Sequence, residues 1–283
     1  MEPLGEYRLD REPDADRAAR SRAPLIASII VGAAVIGFGG WFLWRGDAPP
    51  ATSREARAGV APGAAAARED IVPLGPNVEP VELPPLDLTD ALVRKLVGAL
   101  SSRPEVAAWL ATDHLIRGFV SSVDNVAKGA IPSRQLRPLA PVGDFRVVES
   151  GDAISVDARS FQRYDRLADT IASLDARGLA RVYATLKPRL QEAYRELGYP
   201  DGDVDRAVEQ AIVTLLRTPA IEPDVALQHT TVTYQFADPR LEALKPAQKQ
   251  LLRTGPRNSV LVQGKLREIA GALGIPAARL PSS

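Results

Sequence analysis

Apolar residues follow several different rhythms along this chain, and each rhythm predicts a different structure. From Ala23 to Trp44, "APLIASIIVGAAVIGFGGWFLW", they run for twenty-two residues without a charge. At the helical rise this length covers roughly 30 Å, the hydrocarbon thickness of a bilayer. A single transmembrane helix is predicted over residues 23–44. Soluble helices rarely stay uncharged for so long, and the sequence that follows offers nothing to bury one. A cleaved leader would have a shorter apolar region followed by small residues. Here the run ends in Trp41, Phe42, Leu43, Trp44 and Arg45, so an uncleaved anchor is expected, with the tryptophans at the far interface.

Beyond the anchor the rhythm stops. Residues 45–85 contain eight prolines and an alanine run at Ala64 to Ala67, with too little apolar surface to offset ordering, and read as a disordered linker. Helical periodicity then takes over. "LTDALVRKLVGAL" repeats apolar residues through Leu92, Val93, Leu96, Val97 and Leu100 after a cap at Thr89 or Asp87. "SRPEVAAWLA" sets Ser102 three before Glu105, a capping-box signature. After Asp113, the residues Leu115, Ile116, Phe119, Val120, Val123 and Val126 form one face that ends at Gly129.

Alternation appears twice. "FRVVESGDAISVD" reads as a β-hairpin turning at Ser150, Gly151 and Asp152, and "VALQHTTVTYQF" as one further strand with Val232, Tyr234 and Phe236 on one face. Between them lie helices through Phe161, Tyr164, Leu167 and Ile171, and through Leu179, Val182, Tyr183, Leu186, Leu190 and Tyr194, the second kinked at Pro188. "DPRLEAL", "KPAQKQLLRTG" and "PRNSVLVQGKLREIAGALG" close the chain as helices, with Gly274 as the stop. The predicted class is therefore mostly α with a minor β part (α+β). The predicted organisation is a tail at 1–22, the span at 23–44, the linker at 45–85, one soluble helical domain at 86–274 and a tail at 275–283.

Charge refines this picture. Five arginines (Arg8, Arg11, Arg17, Arg20, Arg22) precede the span and three (Arg45, Arg54, Arg57) follow it at comparable distance, which predicts a cytoplasmic N-terminus and a periplasmic domain at an inner membrane. Small residues four apart within the span, Ser28 with Gly32 and Ala33 with Gly37, would let two copies pack as a homo-oligomer. With 35 basic and 35 acidic residues the chain has no net charge, so no chain-wide field draws a nucleic acid. Cysteine is absent, which excludes disulfides and thiolate metal sites.

Candidate chemistry is sparse. Asp201, Asp203 and Asp205 in "YPDGDVDRAVEQ" alternate like the first ligands of a calcium loop, but Arg206 and Ile212 occupy the positions that need glycine and a bidentate glutamate. A helix start explains the same residues: Gly198 ends one helix, Pro200-Asp201-Gly202 turns, and Asp203 caps the next. His114 and His229 have no ligand-spaced partner, and the chain lacks nucleophile-elbow, phosphate-loop and dinucleotide motifs. No catalytic residue, metal site or cofactor is assigned. A hydrolase resting on two distant carboxylates leaves no local motif, so that alternative stays open. One stretch, Lys245 to Arg267, holds six basic residues and no acid. Within it Lys245, Lys249, Arg253 and Arg257 recur every four positions, so they form either a docking face for an anionic partner or a solvated face balanced by acids elsewhere.

Three segments, "LSSRPEVAAWLA", "LQEAYRELGYPDGDVDRAV" and "ALKPAQKQLLRTGPRN", resemble a bacterial domain-of-unknown-function family, over about Leu83 to Ala270. The resemblance implies an envelope protein with one membrane span, a proline-rich linker and one soluble domain. It implies no activity. The expected function is an interaction or scaffold module that binds an envelope protein or an anionic envelope component, anchored in the lipid bilayer through residues 23–44.

Overall fold

The computed structural model describes residues 73–282 apart from Val232. The predicted N-terminal tail, the span and the linker up to residue 72 lie outside the described residues, as does the Val232 position of the predicted third strand. Among the described residues no helix is long and apolar enough to cross a membrane.

Eleven helices are labelled α1 to α11 below, together with a sheet whose strands run β1 to β4. The first helices are α1 (Asp90–Gly98), α2 (Pro104–Leu110), α3 (Leu115–Ala127) and α4 (Ser133–Leu136). A hairpin of β1 (Val147–Ser150) and β2 (Ala153–Val156) follows, then α5 (Ala158–Gln162), α6 (Asp165–Ala172), α7 (Ala176–Glu196) and α8 (Val204–Leu216). Strands β3 (Ala226–His229) and β4 (Tyr234–Phe236) precede α9 (Pro239–Glu242), α10 (Pro246–Leu252) and α11 (Pro256–Leu273). This is the α+β class predicted from periodicity.

Amphipathic spacing explains the main body. Helix α3 buries Leu115, Ile116, Phe119, Val120, Val123 and Val126, the face read from the sequence, and packs along α7 and α8. Helix α11 lies across α6, α7 and α8 with Val262 and Leu266 fully enclosed. At about 1.5–3 kcal/mol for each large aliphatic side chain, this continuous core dominates the stability of the fold. Pro188 sits inside α7, which is assigned as one helix from end to end.

A second, smaller core holds the sheet. It consists of Val156, Phe161, Leu227, Phe236 and Leu252, contributed by β2, α5, β3, β4 and α10. All four strands are antiparallel in the order β1-β2-β3-β4. Ser150 pairs with Ala153 across a two-residue turn whose first member, Gly151, has φ +60°, the conformation a tight hairpin needs there.

The expected single strand from Val225 to Phe236 is instead two strands with a turn between them. Thr230 donates its N–H to the Thr233 carbonyl at 2.8 Å, and its hydroxyl oxygen accepts the Thr233 N–H at 3.0 Å. The threonine side chain closes a turn on its own backbone, so a run of β-forming residues folds back on itself without glycine or proline.

Two helix starts also differ from local capping logic. Helix α3 starts after His114, whose φ is +56°, and its first amides are capped by Asp90 of α1, which accepts from His114 N at 2.8 Å and Leu115 N at 2.9 Å. Asp113 points to Arg94 instead, at 3.5 Å. Helix α2 has no side-chain cap at its start. Its Glu105 is drawn away to α6, where it accepts from the Thr170 hydroxyl at 3.0 Å and pairs with Arg166 at 3.0 Å.

The chain from Pro73 to Pro85, placed at the end of the linker by its composition, lies on the helical body. Leu74 is buried, Gly75 donates to the Leu273 carbonyl at 2.9 Å, and Arg189 donates to the Leu83 carbonyl at 2.9 Å. Gly75 permits this approach because a side chain there would meet Ala184 at 2.9 Å.

Candidate functional site

The small core is incomplete, and a pocket opens onto it. All five of its buried residues line this cavity of about 80 Å³, with Pro141 and Phe145 on one lip and Tyr234 and Gln235 on another. A water needs roughly 10–15 Å³ on the same measure, so the space takes a ring or a short alkyl chain.

The lip is pinned rather than loose. Ser160 of α5 accepts the Arg146 N–H at 2.7 Å and donates its hydroxyl to the Arg146 carbonyl at 2.9 Å. Arg163, at the end of α5, donates to the Ser160 carbonyl at 3.1 Å and to the Gly143 carbonyl at 2.9 Å. These bonds fix the segment on either side of Phe145, which lines the pocket with its ring centroid 6.1 Å from that of Tyr234.

Polar groups gather on one side. Arg163, Tyr164, Gln250 and Arg253 all line the pocket, and the Arg163 guanidinium lies 5.6 Å from the centre of the Tyr164 ring. Burial pushes the Tyr164 phenol above its usual pKa, opposed by Arg163, by a hydrogen bond with Gln250 and by Arg253. The phenol is therefore a neutral donor at physiological pH. Burial pulls the Arg253 guanidinium below its usual value, while Glu242 and Tyr164 act in the opposite direction. Arginine nevertheless stays charged. Nearby, Glu242 is already engaged: Lys249 bonds its carboxylate, which also accepts the Phe236 N–H at 3.1 Å.

Arg163 differs from the other arginines around it. Both of its hydrogen bonds go to backbone carbonyls, and among the described residues no carboxylate lies in ion-pair range of it. The pocket lining contains two guanidiniums and no acid. It also contains no histidine, serine, threonine or cysteine, so it carries no paired base and nucleophile.

The four basic residues singled out in the sequence have separate fates. Arg253 faces the pocket, and Lys249 stands behind it on Glu242. Arg257 pairs with Asp169 at 2.7 Å and Asp165 at 3.7 Å, joining α11 to α6. Lys245 is exposed, and its stem covers Gly129. The structure thus brings Lys249 and Arg253 together near one site and leaves Lys245 and Arg257 outside it. Sequence reasoning missed Arg163, Tyr164 and Gln250, because "FQRYDR" carries no motif and its meaning depends on the strands opposite.

Acids converge elsewhere, in an open groove lined by Asp124, Asp201, Asp203, Asp205 and Glu209. Asp203 caps α8 by accepting the Asp205 N–H at 2.7 Å, Asp124 pairs with Lys128 at 2.8 Å, and Glu209 with Arg279 at 3.3 Å. Asp205 is buried. It accepts the Tyr183 hydroxyl at 2.5 Å and the Leu74 N–H at 2.9 Å, and it forms an ion pair with Lys187. Burial foremost, and Asp205 next, raise the Tyr183 phenol well above its usual pKa, so it remains a donor. Asp124, Asp203, Asp205 and Glu209 are thus engaged within the fold, and a hydrolytic pair would need two carboxylates free to exchange protons. The turn at Asp201 to Asp205 is a helix start, and no cluster able to hold a metal ion occurs among the described residues.

A family model described as "Protein of unknown function (DUF3014)" matches residues 115–270. No curated protein and no solved structure matches the chain.

Proposed function

The chain belongs to the DUF3014 family of proteins of unknown function, and we propose that it acts as a membrane-anchored binding module. In this reading residues 23–44 hold it in the inner membrane with the N-terminus cytoplasmic, and the folded body engages another envelope component in the periplasm. The uncharged run of twenty-two residues supports the anchor. The observation that carries the binding role is the pocket itself. It is apolar, its lip is pinned, and it is lined by two guanidiniums with no carboxylate, histidine, serine, threonine or cysteine beside them.

A crosslinker placed in the intact protein in cells tests this. Phe145 lies on the lip with 36% exposure, whereas Val260, at 62%, lies on α11 outside the pocket lining. A photoreactive residue at Phe145 should capture a discrete envelope partner that the same residue at Val260 does not. Identical products from both positions would remove the binding role. Reporter enzymes fused to each terminus should show the C-terminus outside the cytoplasm, and activity of a periplasmic reporter only at the N-terminus would reverse the orientation.

A further inference from the structure

We propose that the pocket recognises a carboxylate attached to one apolar group, an aromatic ring or a short branched alkyl chain, with Arg163 as the principal anion contact. The proposal rests on the binding-module reading and specifies what that module binds.

Three observations converge on this chemistry. The floor is formed by the small core, Val156, Phe161, Leu227, Phe236 and Leu252, and an apolar group in the cavity would extend that cluster. Its size of about 80 Å³ limits the apolar group to a ring or a few carbons. Arg163 is held in place by two backbone carbonyls with no carboxylate of the described chain in range, so the guanidinium is oriented before a ligand arrives. A planar fork of donors fixed in this way suits a carboxylate, and preorganisation reduces the cost of binding.

The surrounding groups select against other ligands. Arg253 adds positive charge, and the Tyr164 phenol and the Gln250 amide add neutral donors. A cation would meet two like charges and no acid. A neutral ligand would satisfy the walls but give the Arg163 guanidinium no counter-charge. Glu242 does not neutralise the site alone, since Lys249 shares its carboxylate.

The test uses the full-length protein in nanodiscs of uncharged lipid, titrated calorimetrically with hydrocinnamate, a phenyl ring on a short chain ending in a carboxylate. Saturable one-to-one binding is expected, and hydrocinnamide, the uncharged amide of the same shape, should bind at least about tenfold more weakly, the loss of one charged hydrogen bond. Arg163→Gln should weaken hydrocinnamate by a similar factor. Because that substitution also loosens the lip, Gln250→Glu provides a second variant: it puts a carboxylate in the pocket lining where the Gln250 amide bonds Tyr164 and should compete with the ligand, again by about tenfold, while thermal unfolding shows the fold intact.

A short peptide ending in phenylalanine, with a free or amidated C-terminus, identifies the source of the carboxylate. Tighter binding of the free-acid peptide than of hydrocinnamate assigns a polypeptide terminus. Binding of hydrocinnamate alone assigns a free small acid. The proposal is overturned if neither acid binds, if the amide binds as well as the acid, or if folded Gln250→Glu binds like the parent protein. A partner crosslinked from Phe145 without any carboxylate binding would keep the module and discard this ligand class, and carboxylate binding without a crosslinked partner would do the reverse.

Discussion

Asp205 changes meaning most between sequence and structure. In the sequence it is the last of three alternating aspartates, and helix-start logic would leave it on the surface. In the fold it is 3% exposed and accepts from Tyr183, Leu74 N–H and Lys187 together. A buried carboxylate is tolerated only when its oxygens are satisfied this fully. Asp205→Ala should therefore cost about 3 kcal/mol, measured by urea unfolding, because it orphans the Tyr183 hydroxyl and removes the partner of Lys187. Asp205→Asn keeps an acceptor for Tyr183 and should cost about half as much. Near-equal stability of Asp205→Ala and the parent would show that the network contributes nothing net.

Among the elements, β4 is an edge strand, and an open edge invites pairing with other chains. Glu242 of α9 occupies its outward-facing Phe236 amide, and Lys249 of α10 holds Glu242 there. Burial by itself would raise the Glu242 pKa, but the Lys249 bond, the Phe236 amide and nearby cations together bring it below the usual 4.5. A carboxylate depressed in the folded state adds stability above its unfolded pKa and loses it as pH falls through the folded value. Glu242→Gln should thus lower unfolding free energy by about 1–2 kcal/mol at neutral pH. The gap to the parent should close as pH falls through that lowered value. A gap that stays constant into acid would mean the charge is irrelevant. Elements of this kind mark the limit of what the sequence discloses. Faces such as Leu115 to Val126 were readable because burial imposes a period, and Asp203 and Gly198 because caps act locally. The Asp90 cap on α3, the diversion of Glu105 and the turn at Thr230 were not, since each depends on a partner that sequence spacing does not reveal. The same holds for the pocket: the charge run drew attention to Arg253, while Arg163 matters for the acid it lacks, which only the fold discloses.

On the scale of the whole molecule, zero net charge is consistent with extensive internal pairing. Arg117 ties α3 to Glu196 at 2.6 Å and to Asp87 at 2.7 Å, and Arg257 ties α11 to α6. The body also begins earlier than composition suggests. A chain starting at Leu83 should melt several degrees below one starting at Pro73, because it loses the Leu74 side chain and the amide that Asp205 binds. Equal melting of the two truncations would make the Pro73–Pro85 contacts incidental.

That entry point has a mechanical side. Tension along the preceding chain reaches the body at Leu74 and Gly75, where it is shared between the Leu273 carbonyl on α11, the Asp205 carboxylate on α8 and the Lys187 ammonium on α7. Three helices bear the load in parallel at the outset. A pull on this chain would thus act first on three helices of the main core, none of which lines the pocket.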